Sequence, residues 1–235
     1  MKYLTVSLAI LSCVTANTTI IPTTCFDDQA QLESYFDYDY PWGSTHNGAA
    51  SMTASHAVAT GGVLTLTSQY TGASDYAWTA GTVYAKDEFT VAAGQSYTFS
   101  ASFIAPTITG TWPAFWLTAV SGWPPEIDMA EWKGDGEISF NTFNTSSVVA
   151  SDNVEYSDSS DWHTVLCQIE DDGSGENVKA TFYLDGVEQT VQWGQGYINQ
   201  ALYLIIDYQM EGSSGSPGPE YNTTFQIKDL SVTST

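Results

Sequence analysis

Short apolar or alternating segments separated by turn residues recur along this chain, and no other feature constrains its fold as much. The runs at 63–67, 80–83, 97–104, 114–120, 138–143, 162–169, 180–184, 201–208 and 223–232 are rich in Val, Thr, Tyr and Phe and bounded by Gly, Asp and Ser. Such runs form strands rather than helices, because branched and aromatic side chains suit a pleated, half-buried surface. A helical turn is plausible only at 28–35. The pattern predicts an all-β sandwich of two antiparallel sheets packed face to face, one of which can curve its outer face into an open groove.

The first 16 residues read as a signal peptide, with Lys2 as the basic start, an apolar stretch and a small Ala16 before the cut. Residues 17–235 then form a single β-sandwich domain, since no linker interrupts them and the small-residue stretch at 212–219 reads as a loop. A secreted, extracellular chain follows, with no segment long enough to span a membrane. Removing the leader takes Cys13 with it and leaves Cys25 and Cys167, expected to form one disulfide in an oxidising compartment. Asn144 and Asn222 begin glycosylation sequons, and Asn17 begins a third.

The formal charge is −22, from 27 acidic residues against five lysines and no arginine. That balance makes nucleic acid and anionic membranes poor partners. The absence of arginine also counts against an acidic sugar, whose carboxylate is best read by a planar guanidinium. A neutral polysaccharide is the simplest substrate class.

Residues 123–132, Trp-Pro-Pro-Glu-Ile-Asp-Met-Ala-Glu-Trp, place Glu126, Asp128 and Glu131 inside one aromatic-bracketed apolar run. Carboxylates held near one another and near apolar surface lose hydration and repel, so such an arrangement points to chemistry or to a cation. On a strand Glu126 and Asp128 share a face, whereas Glu131 has the wrong parity. One extra residue, a bulge at Met129-Ala130, returns Glu131 to the acidic face. The outer two backbones then stand about 13 Å apart, at roughly 3.3 Å per step, and their side chains must lean together to act jointly. Two carboxyls flanking a glycosidic bond are the equipment of a retaining glycosidase.

Sugar rings pack their apolar C–H faces on tryptophan and tyrosine. The chain has eight tryptophans, and Trp112, Trp116, Trp123 and Trp132 crowd around the acidic run. Trp123 and Trp132 are the favoured sugar contacts, and Tyr38, Tyr40 and Trp42 lie in a loop able to join them. Trp162 and Trp193 are assigned to packing.

The segment Glu126-Ile-Asp-Met-Ala-Glu131, with Trp112-Pro-Ala-Phe-Trp-Leu upstream and Asp161-Trp-His-Thr and Phe182-Tyr-Leu-Asp-Gly186 downstream, resembles glycoside hydrolase family 16. That resemblance implies a concanavalin-A-like jelly roll, with Glu126 as nucleophile, Glu131 as acid/base and Asp128 as the assisting acid. By the same likeness Asn144 stands where many members carry a substrate-binding histidine, and Asp207 where relatives more often carry asparagine. The implied activity is endo-hydrolysis of a neutral β-linked polysaccharide, β-1,3 or mixed β-1,3/1,4 glucan by default. Transglycosylation would use the same residues. No cofactor is required for this chemistry, a structural calcium is compatible with it, and a monomer is expected. A lectin on the same jelly roll would keep the aromatics without needing three aligned acids, and a lyase would need a base and a uronate counter-ion that this composition does not supply.

Overall fold

The computed structural model describes residues 17–212 and 217–235. The leader assigned to residues 1–16, and part of the 212–219 loop, lie outside the described residues. The N-terminal part contributes β1 (Thr18–Ile21), α1 (Gln29–Tyr35), β2 (Phe36–Tyr38), β3 (Ala50–Met52) and β4 (Ala57–Thr60). Next come β5 (Val63–Tyr70), β6 (Trp78–Ala80), β7 (Thr82–Ala85), β8 (Phe89–Thr90), β9 (Ser96–Ile104) and β10 (Thr111–Ala119). The acidic run is β11 (Glu126–Glu131), followed by β12 (Glu137–Thr145) and β13 (Val148–Glu155). The chain closes with β14 (His163–Asp171), β15 (Val178–Leu184), β16 (Val187–Gly194), β17 (Ala201–Met210) and β18 (Thr223–Ser234).

These strands form two sheets. One has the order β16-β15-β14-β9-β18-β5-β6-β3, with β1 added on β18 and β4 on β5. The other runs β13-β12-β11-β10-β17-β7-β2, with β8 added on β17. Neighbours are antiparallel except β3 and β6, which run parallel. The segment expected as one strand at 80–83 divides at Gly81 between the two sheets. A side chain there would place its Cβ 2.4 Å from the His56 carbonyl, so only glycine lets the chain cross so close to that backbone. The short helix α1 begins at Asp28, whose side chain accepts the Gln31 N–H at 2.8 Å and satisfies a donor the first turn leaves open.

Between the sheets lies one continuous apolar core. Phe99, Phe103, Phe115, Phe140, Phe182 and Phe225 are all fully buried in it. Each such ring stabilises the fold by roughly 1.5–3 kcal/mol through removal of apolar area from water. The inward positions of β11, Ile127 and Met129, join the same core, which anchors the acidic strand from behind.

The expected disulfide does not form: Cys25 and Cys167 are both free, buried thiols. Cys25 sits in a 3-10 turn with Sγ facing the Leu230 carbonyl at 4.0 Å. Cys167 points inward from β14, between Phe99 and Phe182 in the register. Each sulfur is sealed in its own packing, and burial pushes the Cys25 thiol up to about 12 and the Cys167 thiol up as well. Among the described residues no helix is long and apolar enough to cross a membrane.

Candidate active site

β11 is bulged where the sequence predicts it. Its pairing with β12 shifts between Asp128 and Glu131, and its pairing with β10 steps from Asp128 to Ala130. The extra residue turns Met129 and Ala130 together into the core and returns Glu131 to the face of Glu126 and Asp128. All three carboxylates line one cleft of about 650 Å³.

Strand register fixes the surroundings. Trp112, Ala114, Trp116 and Thr118 share one face of β10, and in the ladders Thr118 stands opposite Glu126, Trp116 opposite Asp128 and Ala114 opposite Glu131. On the far side of β10, Asp207 of β17 faces Ala114 and Gln209 faces Trp112. Ala114 thus leaves room between two carboxylates, where a larger side chain would fill the floor.

The acids are held by specific donors. Trp123 Nε1 donates to Glu126 Oε2 at 2.8 Å, and Trp112 Nε1 donates to Glu131 Oε1 at 2.7 Å. Asn141 of β12 uses its amide nitrogen on two acids, donating to Asp128 Oδ2 at 2.9 Å and to Glu131 Oε2 at 3.2 Å. Its own carbonyl accepts the Ser151 hydroxyl at 2.6 Å, so β13 sets the amide's orientation. Lys133 places Nζ 3.5 Å from Glu131 Oε1 and 4.7 Å over the Trp112 ring. From behind, the Tyr197 hydroxyl bridges the backbones of Glu126 and Phe143, pinning the start of β11.

Burial dominates the proton affinities. Desolvation, then the charge of Glu131, pushes Glu126 up to about 7 against the Trp123 hydrogen bond. Asp128 is enclosed and held well above the usual carboxylate range by burial, and next by Glu131 and Glu126. Asp207 accepts the Tyr40 hydroxyl at 2.7 Å and the Trp116 indole at 3.0 Å, yet complete burial still raises it to about 7. Burial lowers His46 from its ordinary range, leaving a neutral ring at neutral pH.

The aromatic lining differs in part from expectation. Trp112, Trp116, Trp123 and Trp42 all line the cleft, and Trp42 and Trp123 are about half exposed. Trp42 and His46 pack over Trp116, with His46 stacked on its ring at 5.6 Å, and Tyr40 stacks on Trp42 at 5.3 Å. Trp132 does not face sugar. Once the bulge returns Glu131 to the cleft, the next residue must point the other way, and Trp132 packs in the core against Phe103, Phe225 and Tyr156. Tyr38 turns away from the cleft to Gln29 and Glu33. Trp162 lies under Lys228, whereas Trp193, assigned to packing, is half exposed at the β16 edge.

Asn144 is likewise misplaced as a cleft residue. The register sets Asn141 opposite Asp128 and Phe143 opposite Glu126, so Asn144 falls on the opposite face. There its amide donates to the Trp193 carbonyl at 3.0 Å and its oxygen accepts the Gln195 N–H at 2.6 Å. Asn141, three residues earlier, is the β12 residue that meets the acids. His46, Asn141, Gln209 and Lys133 lacked a sequence signal, because each reaches the cleft through pairing or a loop rather than through a motif. Among the described residues no three His, Cys, Asp or Glu side chains form a metal-binding group.

An aromatic-lined cleft on one sheet of a β-sandwich, with three carboxyls on its floor, defines a carbohydrate-active enzyme, here a glycoside hydrolase. No family model matches the chain. It is 42% identical over 230 residues to a galactan endo-beta-1,3-galactanase from Flammulina velutipes, covering 92% of this chain and 90% of that protein. Its fold is similar to the endo-1,3-beta-glucanase of Streptomyces sioyaensis, with a TM-score of 0.70 at 22% identity, covering 86% of this chain and 90% of that one. It is also similar to a non-specific endo-beta-1,3(4)-glucanase from family GH16, with a TM-score of 0.71 at 14% identity, covering 96% and 93%. The chain belongs to glycoside hydrolase family 16.

Proposed function

We propose that the protein is a secreted, retaining endo-glycosidase that cleaves a neutral β-1,3-linked polysaccharide, with galactan ahead of glucan as the hexose polymer. The observation that carries the reading is the bulged β11, which brings Glu126, Asp128 and Glu131 to one face of an aromatic cleft. The relative that is similar over nearly its whole length acts on β-1,3-galactan by its name, which supports that linkage and favours that hexose.

In this mechanism the carboxylate form of Glu126, which the Trp123 indole stabilises, attacks the anomeric carbon as Glu131 delivers a proton to the leaving oxygen. Glu131 then takes a proton from water, which hydrolyses the glycosyl-enzyme. Burial raises the proton affinity of the enclosed Asp128, which weakens the negative charge it sets beside the nucleophile. No step calls for a metal or organic cofactor. Transglycosylation would differ only in admitting a sugar hydroxyl in place of that water. Secretion rests on the 1–16 segment, and the exposed Asn222 is the sequon positioned to carry a glycan.

The test is product release from β-1,3-galactan, laminarin, lichenan, an acidic and an amino-sugar polysaccharide, with Glu126→Gln and Glu131→Gln in parallel and the anomer of the first product read by NMR. Cleavage of one β-1,3 polymer with β-anomer retained, lost in both variants, supports the reading. Binding of a glycan without cleavage by the native protein would transfer it to the lectin class.

A further inference from the structure

The donors on the floor of the cleft are engaged with its acids: the Trp112, Trp116 and Trp123 indoles with Glu131, Asp207 and Glu126, and Asn141 with Asp128 and Glu131. The wall built by the loop between β2 and β3 is different. His46, Asn47 and Trp42 line the cleft from that loop, and among the described residues none of their side-chain nitrogens has a hydrogen-bond partner. The loop is nevertheless firmly anchored. Tyr40 donates to Asp207 at 2.7 Å, the Met52 N–H to the Ser44 carbonyl at 2.7 Å, the Ala49 N–H to the Met210 carbonyl at 2.8 Å and the Ala50 N–H to Gln209 Oε1 at 2.8 Å. At Gly48 a Cβ would meet the Gln209 side chain at 2.5 Å, so glycine lets the loop lie against β17. His46 is the informative member. Its ring packs against Tyr40, Trp42 and Trp116, a setting that phenylalanine would suit, yet the residue there carries two nitrogens. Kept neutral by burial, the imidazole offers one N–H donor and one acceptor, the complement of a sugar hydroxyl, which accepts and donates at once.

We propose that His46 is a specificity-determining residue, which hydrogen-bonds the axial hydroxyl on carbon 4 of a galactosyl unit stacked on Trp42 and so selects galactan over glucan. It rests on the β-1,3-galactan reading of the same cleft and deepens it. Galactose and glucose differ only in the direction of that hydroxyl, and a β-1,3 linkage leaves it free along the whole chain. Discrimination between the two polymers must therefore be expressed through contacts to this group. In galactose it rises from the face opposite the C–H face that packs on an aromatic ring, so its partner must stand beside the platform and rise above it. Trp42 and His46 have that relation. Tyr40 stacks on one side of the Trp42 indole with 5° between their planes, and the half-exposed indole has the imidazole inclined at 52° to it, centroids 5.2 Å apart. An equatorial hydroxyl would instead point along the sugar plane and leave the desolvated His46 nitrogens unpaired.

The experiment measures kcat/KM on β-1,3-galactan and on laminarin for the native protein, for His46→Phe, which keeps the ring packing, and for His46→Gln, whose amide keeps a donor and an acceptor. The galactan-to-laminarin ratio should fall by about 10–100-fold in His46→Phe, the size expected when a desolvated contact to one hydroxyl is lost. His46→Gln should recover part of it. An unchanged ratio in His46→Phe, with both polymers losing rate together or neither losing any, gives the ring a packing role only and overturns the proposal. A ratio as low in His46→Gln as in His46→Phe assigns the effect to ring shape rather than hydrogen bonding and overturns it as well. Native protein that cuts neither polymer, or prefers laminarin, would instead overturn the galactan reading on which the proposal stands.

Discussion

At the residue scale, Asn141 spends both amide hydrogens on Asp128 and Glu131, so it fixes the separation of the acids. Asn141→Ala should lower kcat by about 10–100-fold with little change in KM, a loss of the size expected when a reacting group is misplaced by about 1 Å. Steady-state kinetics on the polymer the enzyme cuts would check it. Glu131→Gln should cost about 10²–10⁴-fold in kcat, the usual range for a positioned acid. Trp123 has an electrostatic role besides its role as a platform, since its indole hydrogen stabilises the Glu126 anion. Trp123→Phe should therefore move the Glu126 midpoint above about 7, a shift readable by NMR of carboxyl-labelled glutamate. A lower midpoint would show that this hydrogen bond does not hold the nucleophile.

Elements carry the next level of the argument, and β11 is the decisive one. Deleting Ala130 removes the bulge but returns the strand to period two, so the glutamate after it still faces the cleft. That variant should fold and keep activity reduced by about 10–100-fold. Inserting one further alanine after Ala130 moves the glutamate into the place of Trp132 in the core, against Phe103 and Phe225. Activity should then vanish, and denaturant unfolding should show a loss of at least about 2 kcal/mol for burying a polar group without partners. Equal behaviour of the deletion and the insertion would mean that register does not place Glu131. The bulge was legible because three acids at spacings of two and three cannot share one regular strand face. β13 and β16 were not, since β13 is an exposed edge with little apolar alternation and β16 mixes exposed, half-buried and buried positions without a regular apolar alternation.

For the whole molecule the relevant quantity is the free energy of holding acids in a poorly hydrated cleft. Glu126 and Asp207 are raised in the folded protein from ordinary values of 4.5 and 3.8 to about 7. A carboxyl raised on folding contributes stability that is fully present below its unfolded pKa and lost as pH rises through the folded one. Stability should therefore fall between about pH 4 and 7 and level off above, with Asp207 alone accounting for up to about 4 kcal/mol at 1.36 kcal/mol per unit. Asp207→Asn keeps an acceptor for Trp116 and gives Tyr40 a donor, so it should flatten part of that slope and raise Tm at pH 8. Thermal unfolding at pH 5 and 8 separates the cases, and an Asp207→Asn slope equal to the native one would sink the account. The −22 charge adds self-repulsion in the same direction, which salt at pH 8 should relieve.

The sequence alone determined the all-β class, the strand rhythm, the bulge and the three acids, because each follows from short-range periodicity and from the cost of placing carboxylates in an apolar run. Trp112, Trp116, Trp123 and Trp42 were legible for the same reason. Tertiary structure decided what depends on pairing between distant strands. It put Asn141 rather than Asn144 beside the acids, turned Trp132 inward, kept Cys25 and Cys167 apart as buried thiols, and brought Asp207, Gln209, His46 and Lys133 to the cleft. A one-residue step in register reverses the face of every side chain, and no local pattern around residue 141 or 144 reveals which of them stands opposite Asp128.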